Sequence, residues 1–354
     1  MTSEPTPAAE RPSRKVRIER AKARLARLQQ RLEKRQDSNH ELRAQIAVLT
    51  EEVKTPPERQ ATGTGDLETD PGKPSYALSA RLHRRANTTG VNLREGLREP
   101  ILDLYTKTAG RAFAAANGVA VPAELGRWAD PNSVDWDSLP DRFVLKSSRG
   151  GGGISVFPLE RTEGGFLDRM VDEPVTIEEV TAKLWKKHQD SSVYIAEEFL
   201  QAKGGEPGQM PHDIKVFCFY GEPAFIEVRT GDWSRARETE QRLRTFLPDG
   251  TELTHVRALI TAGKDVTPPQ DFEGVVQAAR VLSQAIRRPI QRIDFYETDR
   301  GIVFGEITQN PGRPPSLVPE WDEKLGRIYE DAYARLLTDL TAEGALGVEF
   351  GDQG

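Results

Sequence analysis

The run Phe143-Val-Leu-Lys-Ser-Ser-Arg-Gly-Gly-Gly-Gly-Ile-Ser-Val-Phe157 restricts the fold more than any other stretch of the chain. A β-rich apolar segment ends in Lys146, crosses Gly150, Gly151, Gly152 and Gly153, and re-enters an apolar segment. Glycine reaches positive φ and lets backbone N–H groups approach an anion with no Cβ in the way. Lys146 can place a point charge beside such an anion. No Gly-Lys-Ser/Thr opens a helix here, which excludes a P-loop. Ile154–Phe157 reads as a strand, which excludes a dinucleotide fingerprint. Strand, glycine hairpin, strand is a flap for a polyphosphate, or a plain hairpin that binds nothing. This stretch alone leaves both readings open.

The 354 residues are enough for two or more packed domains. Residues 1–54 hold 13 basic against 8 acidic residues, so the net charge of −6 hides a basic start and an acidic remainder. That basic part is a helical segment and not a lysine tail, so no nucleic-acid arm is expected. The single Cys218 excludes an intrachain disulfide and suits a reducing cytosol, and it reads as a small core residue. No apolar stretch nears the length of a membrane span, and no leader-type apolar region opens the chain. A cytoplasmic location is expected. The five histidines show no metal-ligand spacing.

Residues 14–54 carry a heptad pattern. Ile18, Leu25, Leu32, Asn39, Ile46 and Val53 recur seven apart, with Ala21, Leu28, Arg35, Leu42 and Leu49 as companions. This spacing predicts a coiled coil, and Asn39 in the seam favours a parallel homodimer. Thr55–Ser75 reads as a flexible linker rich in Pro, Gly and Thr. Ile101–Asn117 reads as helical. Beyond it, strands are expected at Phe143–Lys146, Ile154–Pro158, Val193–Phe199, Lys215–Tyr220, Ala224–Arg229, Gln291–Tyr296 and Ile302–Ile307. Helices are expected at Ile177–His188, Phe272–Ile286 and Asp322–Ala342. The fold class is α+β.

Acidic residues inside these strands complete a candidate site. Glu197 and Glu198 are neighbours, so they face opposite sides of their strand. Asp294 and Glu306 each interrupt an apolar strand. A lone buried carboxylate is costly unless it is paired or binds a cation. Together with a phosphate loop, the two suggest Mg²⁺, with Thr308 or Asn310 as a neutral ligand. The competing reading is an ion pair of Asp294 with Arg292, which shares its face.

These pieces, in this order, resemble the ATP-grasp enzymes, and within them the TupA-like branch, over roughly Tyr105 to Leu337. Lys107 and Lys146 resemble the two nucleotide lysines, with Ser148 and Gly150–Gly153 as the flap. Glu197, Glu198, Phe199 and Leu200 are similar to the hinge that holds adenine. Asp213 and Lys215 resemble the residues near ribose and phosphate, and Arg229 the arginine beside the reacting acyl group. Asp294 and Glu306 resemble the metal carboxylates. Glu306-Ile-Thr308 departs from the usual Glu-x-Asn, so Asn310 is the substitute third ligand.

The resemblance implies an ATP-grasp fold of two α+β subdomains behind the N-terminal helix. Its expected divisions are a disordered start (1–13), the coiled coil (14–54), the linker (55–75) and a helical lead-in with Lys107 (76–140). A glycine-flap subdomain (141–200), a metal and catalytic subdomain (201–342) and a tail (343–354) follow. A coiled coil stands where relatives carry a large N-terminal domain. The implied cofactors are ATP and Mg²⁺, with Arg229 and Lys146 as catalytic groups. The implied activity joins a small or polymer-borne carboxylate to an amine through an acyl phosphate, in a cell-surface polymer pathway. A kinase on the same fold and a non-catalytic coiled-coil scaffold are the alternatives. The arginine-dense run Gly231–Leu247, with Arg235, Arg237, Arg242 and Arg244, is either an anion clamp or a solvated face.

Overall fold

The computed structural model describes residues 76–97, 99, 101–148, 155–187, 193–230, 242–257, 261–262, 266–309, 311 and 317–345. The heptad segment, the linker, the four flap glycines, Asn310 and most of the arginine-dense run lie outside the described residues.

The chain enters through α1 (Leu78–Arg94), α2 (Ile101–Leu104) and α3 (Lys107–Ala116). The expected single helix over 101–117 is therefore two. Thr106 makes the break: it adopts extended backbone and its hydroxyl accepts from the Ala109 N–H, capping a new helix.

The first sheet holds six strands: β1 (Glu124–Trp128), β2 (Arg142–Ser147), β3 (Val156–Thr162), β4 (Gly165–Asp168), β5 (Glu173–Val175) and β6 (Tyr194–Glu198). Their order is β1-β6-β2-β3-β4-β5, and every neighbouring pair is antiparallel. The hairpin on either side of the glycines is formed: Lys146 pairs with Val156, and Ser147 N–H donates to Ser155 O at 3.1 Å. Helix α4 (Ile177–Lys187) covers one face, burying Val180 and Leu184 with Phe143, Leu145, Phe157, Leu159 and Phe166. Lys146 and Glu197 alternate with those core residues and so face the other way.

The second sheet is built on β7 (Asp213–Phe219), β8 (Glu222–Thr230), β9 (Arg242–Phe246), β10 (Glu252–Leu253), β12 (Gln291–Thr298) and β13 (Gly301–Thr308), ordered β10-β9-β8-β7-β12-β13. The short β11 (Thr261–Ala262) pairs with β9. Helix α5 (Phe272–Ile286) covers one face: Val275, Ala279, Leu282 and Ile286 pack on Ile214, Val216, Ile226, Val228, Ile293 and Phe295. Cys218 is buried in the same layer, as expected of a core cysteine. At one end of the opposite face, α1 and α6 (Pro319–Ala342) pack Leu78, Leu82, Leu325, Ala332 and Leu336 on Phe217, Phe219 and Phe225. Gly326 permits this contact, since a Cβ there would lie 1.3 Å from the Tyr76 carbonyl oxygen. The rest of that face carries charge. Among the described residues, no helix is long and apolar enough to cross a membrane.

Candidate active site

Strand register lines up a row of polar groups across the second sheet. Thr245 pairs with Glu227, Glu227 with Lys215, Lys215 with Asp294, and Asp294 with Glu306. Period-two alternation puts Asp213, Arg229, Arg292, Tyr296 and Thr308 on the same face. Glu227, Asp294 and Lys215 are each no more than 6% exposed. Burying so many charges is tolerable only if they pair, and they do. Lys215 Nζ lies 2.5 Å from both Asp213 Oδ2 and Asp294 Oδ2. Arg229 and Arg257 both donate to Glu227.

Arg292 is at the centre of this face. Its Nε and Nη2 form a fork on Asp294, 2.7 Å each. Nη2 also donates to Thr308 Oγ1 at 2.8 Å and lies 3.3 Å from Glu306 Oε1. The ion pair weighed against a metal site is thus present, and its guanidinium lies among three of the four expected cation ligands. Burial pushes the Asp294 carboxyl up, but Arg292 and Lys215 outweigh it and hold the group well below the usual carboxylate range. Glu306 goes the other way, raised by burial and then by the Asp294 charge.

Among the described residues, no group of three or more His, Cys, Asp or Glu forms a metal cluster. Mg²⁺ does not need one, since it takes one or two protein carboxylates and completes its shell with phosphate oxygens and water. Two directly opposed carboxylates, one strained by the charge of the other, are such a pair. The donor set therefore fits Mg²⁺, with Arg292 as a fixed cation beside it.

The first sheet contributes Lys146, ion-paired with Glu197, which is 3% exposed. Glu198 faces away, accepts from Ala123 N–H at 2.9 Å, and pairs with Arg300 of the β12–β13 turn. Phe199 and Leu200 follow as half-buried chain beyond the strand. Ser148 is tied to Val193 by two bonds, N–H to Val193 O at 2.7 Å and Val193 N–H to Oγ at 3.0 Å. Its carbonyl accepts from Lys107 N–H at 3.1 Å.

Lys107 joins the two sheets. It is the first residue of α3, where the helix dipole disfavours a cation. Burial, opposed by Glu306 and Glu197 and aided by Lys146, lowers its pKa to about 8. The charges that act on it are thus Glu306 of one sheet and Lys146 and Glu197 of the other. Tyr296 lies in the same field: burial raises its phenol far above the ordinary value, and Asp213, Glu306, Asp294 and Glu197 add to the rise.

Four residues of this face were not singled out as site residues: Arg292 beyond its ion pair, Tyr296, Glu227 and Arg257. The first three stand two positions from Asp294 or Arg229, so the strand period alone could have found them. Arg257 had no such signal; it arrives from a loop beyond β10.

No curated protein matches the chain. Among solved structures it is similar to the D-alanine–D-alanine ligase of Bacillus anthracis, with 15% identity, 66% of this chain and 69% of that one covered, and a TM-score of 0.42. It is also similar to D-alanyl-alanine synthetase A of Vibrio cholerae O1 biovar eltor, with 14% identity, coverage of 66% and 65%, and a TM-score of 0.42. D-cycloserine synthetase is similar at 15% identity, coverage of 73% and 81%, and a TM-score of 0.42. The family model described as TupA-like ATP-grasp matches residues 92–330, a span that runs from the end of α1 into α6 and takes in both sheets. By that match over most of its length, this chain belongs to the TupA-like ATP-grasp family.

Proposed function

We propose that the chain is an ATP-dependent ligase that joins a carboxylate to an amine. The observation that carries this reading is the register that sets Lys215, Asp294 and Glu306 side by side on one sheet, with Lys146 paired to Glu197 on the other and Lys107 N–H bound to Ser148 O at 3.1 Å. Two lysines and opposed carboxylates match the charge pattern of a nucleotide polyphosphate with its cation.

In this reading Lys107, Lys146 and the flap amides of Gly150–Gly153 neutralise phosphate charge, with Ser148 at the flap's base. Glu197, Phe199 and Leu200 border the base and ribose, with Asp213 and Lys215 opposite, while the Glu198 carboxylate, turned away to Ala123 N–H and Arg300, holds the strand end in place. Asp294, Glu306 and Thr308 would hold Mg²⁺, with Asn310 as a further oxygen. Bound Mg²⁺ would offset the negative charge that develops during phosphoryl transfer. A substrate carboxylate oxygen attacks the γ-phosphorus and ADP leaves. The amine nitrogen then attacks the acyl carbon, phosphate leaves, and the amine proton passes to solvent. Arg229, oriented by Glu227, stabilises the oxyanion of that second step. The catalysis is positioning and electrostatics, in keeping with the lack of an obvious general base. The acid and amine are proposed to belong to a cell-surface polymer, and residues 14–54 to pair two copies.

The test is ADP release from Mg-ATP by wild type and Glu306→Ala, over a panel of amino acids, uronic acids and amines. Release that needs both an acid and an amine, and is lost in the variant, supports the ligase. Release that needs one hydroxyl-bearing acceptor replaces it with a kinase, and absence of Mg-ATP binding by calorimetry replaces it with a scaffold. Removal of residues 1–54 should give a monomer by light scattering; a surviving dimer would sink the pairing.

A further inference from the structure

A second polar cluster lies away from the charged face. Gln291 precedes Arg292 on β12, so its side chain points to the opposite side of the sheet. It is 0% exposed, and neither its amide oxygen nor its amide nitrogen has a hydrogen-bond partner among the described residues. Two further buried atoms without a partner belong to its neighbours: Arg85 Nη2 and the Tyr105 hydroxyl. Burial raises the phenol pKa, while the Arg85 and Arg288 charges and its close approach to the Gln291 and Arg85 side chains oppose the rise, so the three groups adjoin one another.

The charges here do not balance. Arg288 is satisfied by Glu99 at 2.9 Å, and Glu99 also accepts from Thr89 at 3.3 Å. Arg85 donates to a backbone carbonyl, Ile290 O, at 3.3 Å, with the Tyr105 phenol beside it and no carboxylate among the described residues in hydrogen-bond contact. A largely buried guanidinium without a carboxylate is unusual, because the desolvation cost is then uncompensated. Burial presses its pKa down and Arg288 adds to this, against the weaker opposing fields of Tyr105, Tyr329 and Glu99.

We propose that Arg85, Tyr105 and Gln291 form a binding site for a small oxyanion, a carboxylate or a phosphate group, separate from the nucleotide face. Arg85 Nη2, Gln291 Nε2 and the Tyr105 hydroxyl offer three donors, one of them charged, against two neutral acceptors, Gln291 Oε1 and the phenol oxygen. That excess of donors suits an anion and not a cation. A water molecule would fill the hydrogen bonds but add no negative charge to a cluster that, among the described residues, holds Arg85 and Arg288 against Glu99 alone. Tyr105 stands two residues before Lys107, so an occupant would also brace the segment that holds this lysine.

The experiment is thermal unfolding and calorimetry of the full chain with inorganic phosphate or succinate, at constant ionic strength against chloride. At a hundredfold excess over Kd, the melting temperature should rise by about 5 °C. The response should persist in Lys146→Met, which alters only the nucleotide face. In Arg85→Met and Gln291→Leu the Kd should weaken by about tenfold or more. Gln291→Glu supplies an internal carboxylate, so it should raise the melting temperature without anion and abolish the response to it. Tighter succinate binding assigns a carboxylate ligand, and tighter phosphate binding a phosphate. A response kept in Arg85→Met and lost in Lys146→Met would overturn the proposal by placing the ion on the nucleotide face. No response to either anion in wild type would also overturn it.

Discussion

Arg292 and Asp294 stand two residues apart on one strand, point to one face, and make a two-pronged ion pair with both bonds at 2.7 Å. The same guanidinium reaches Thr308 and Glu306 on the next strand. It therefore fixes the spacing of the carboxylates proposed to hold Mg²⁺. Arg292→Lys keeps the charge but cannot span two strands with one planar fork. ADP formation by this variant should fall about 100-fold, with ATP affinity much less affected. Equal losses in both, measured by steady-state kinetics and calorimetry, would assign Arg292 to nucleotide binding alone.

Lys107 gives a pH signature. Its folded pKa is depressed to about 8 from the ordinary 10.5, so the protonated form opposes folding. The cost is fully present at neutral pH and is relieved as pH rises through the window between those values. Wild type should gain stability across that window relative to Lys107→Met, as read by urea unfolding. Phosphate oxygens should restore the ammonium, so ATP binding at a pH just above that folded value should take up protons. Calorimetry in two buffers of different ionisation enthalpy detects that uptake, and it should be missing in Lys107→Met.

Glu227 tests the other end of the row. Complete burial by itself would raise its pKa, but Arg257 and Arg229 overcome this and hold it at about 2. Its stabilising contribution is present above the ordinary value of 4.5 and lost as pH falls towards 2. Glu227→Gln leaves two guanidiniums facing each other and should destabilise the fold by about 3–5 kcal/mol at neutral pH. Chemical denaturation measures this. A change below about 1 kcal/mol would mean that the arginines find other partners.

Gly305 lies at the bulge where β13 re-registers against β12. A Cβ there would come to 3.0 Å from the Tyr296 ring and 3.1 Å from the Asp294 carbonyl oxygen. Gly305→Ala should therefore cost about 1–3 kcal/mol and disturb Asp294 and Tyr296 together. A melting temperature equal to wild type, with unchanged ADP formation, would refute this.

The alternation of apolar and polar residues made the strands around Asp294, Glu306, Lys215 and Glu197 legible in the sequence, because a strand shows its two faces every second residue. Helix Phe272–Ile286 was legible to the residue, since its apolar stripe matches the helical period and Asp271 caps it. The short strands β4, β5, β10 and β11 gave no comparable pattern, being two to four residues long. The break at Tyr105-Thr106 was hidden because a threonine cap competes with a helix that composition favours on both sides.

The sequence by itself determined which residues bear charge inside apolar strands, and hence that a cation or ion-pair site had to exist. Only the tertiary structure decided how those charges are shared. Arg292 with Asp294 is a local pair that strand spacing allows. Lys107 beside Glu306, Arg257 on Glu227, and Arg85 on the Ile290 carbonyl depend on sheet register and helix packing, which bring together residues up to some two hundred positions apart. Pairing across strands is set by hydrogen-bond register and by the bulges that shift it, and one-dimensional periodicity carries neither.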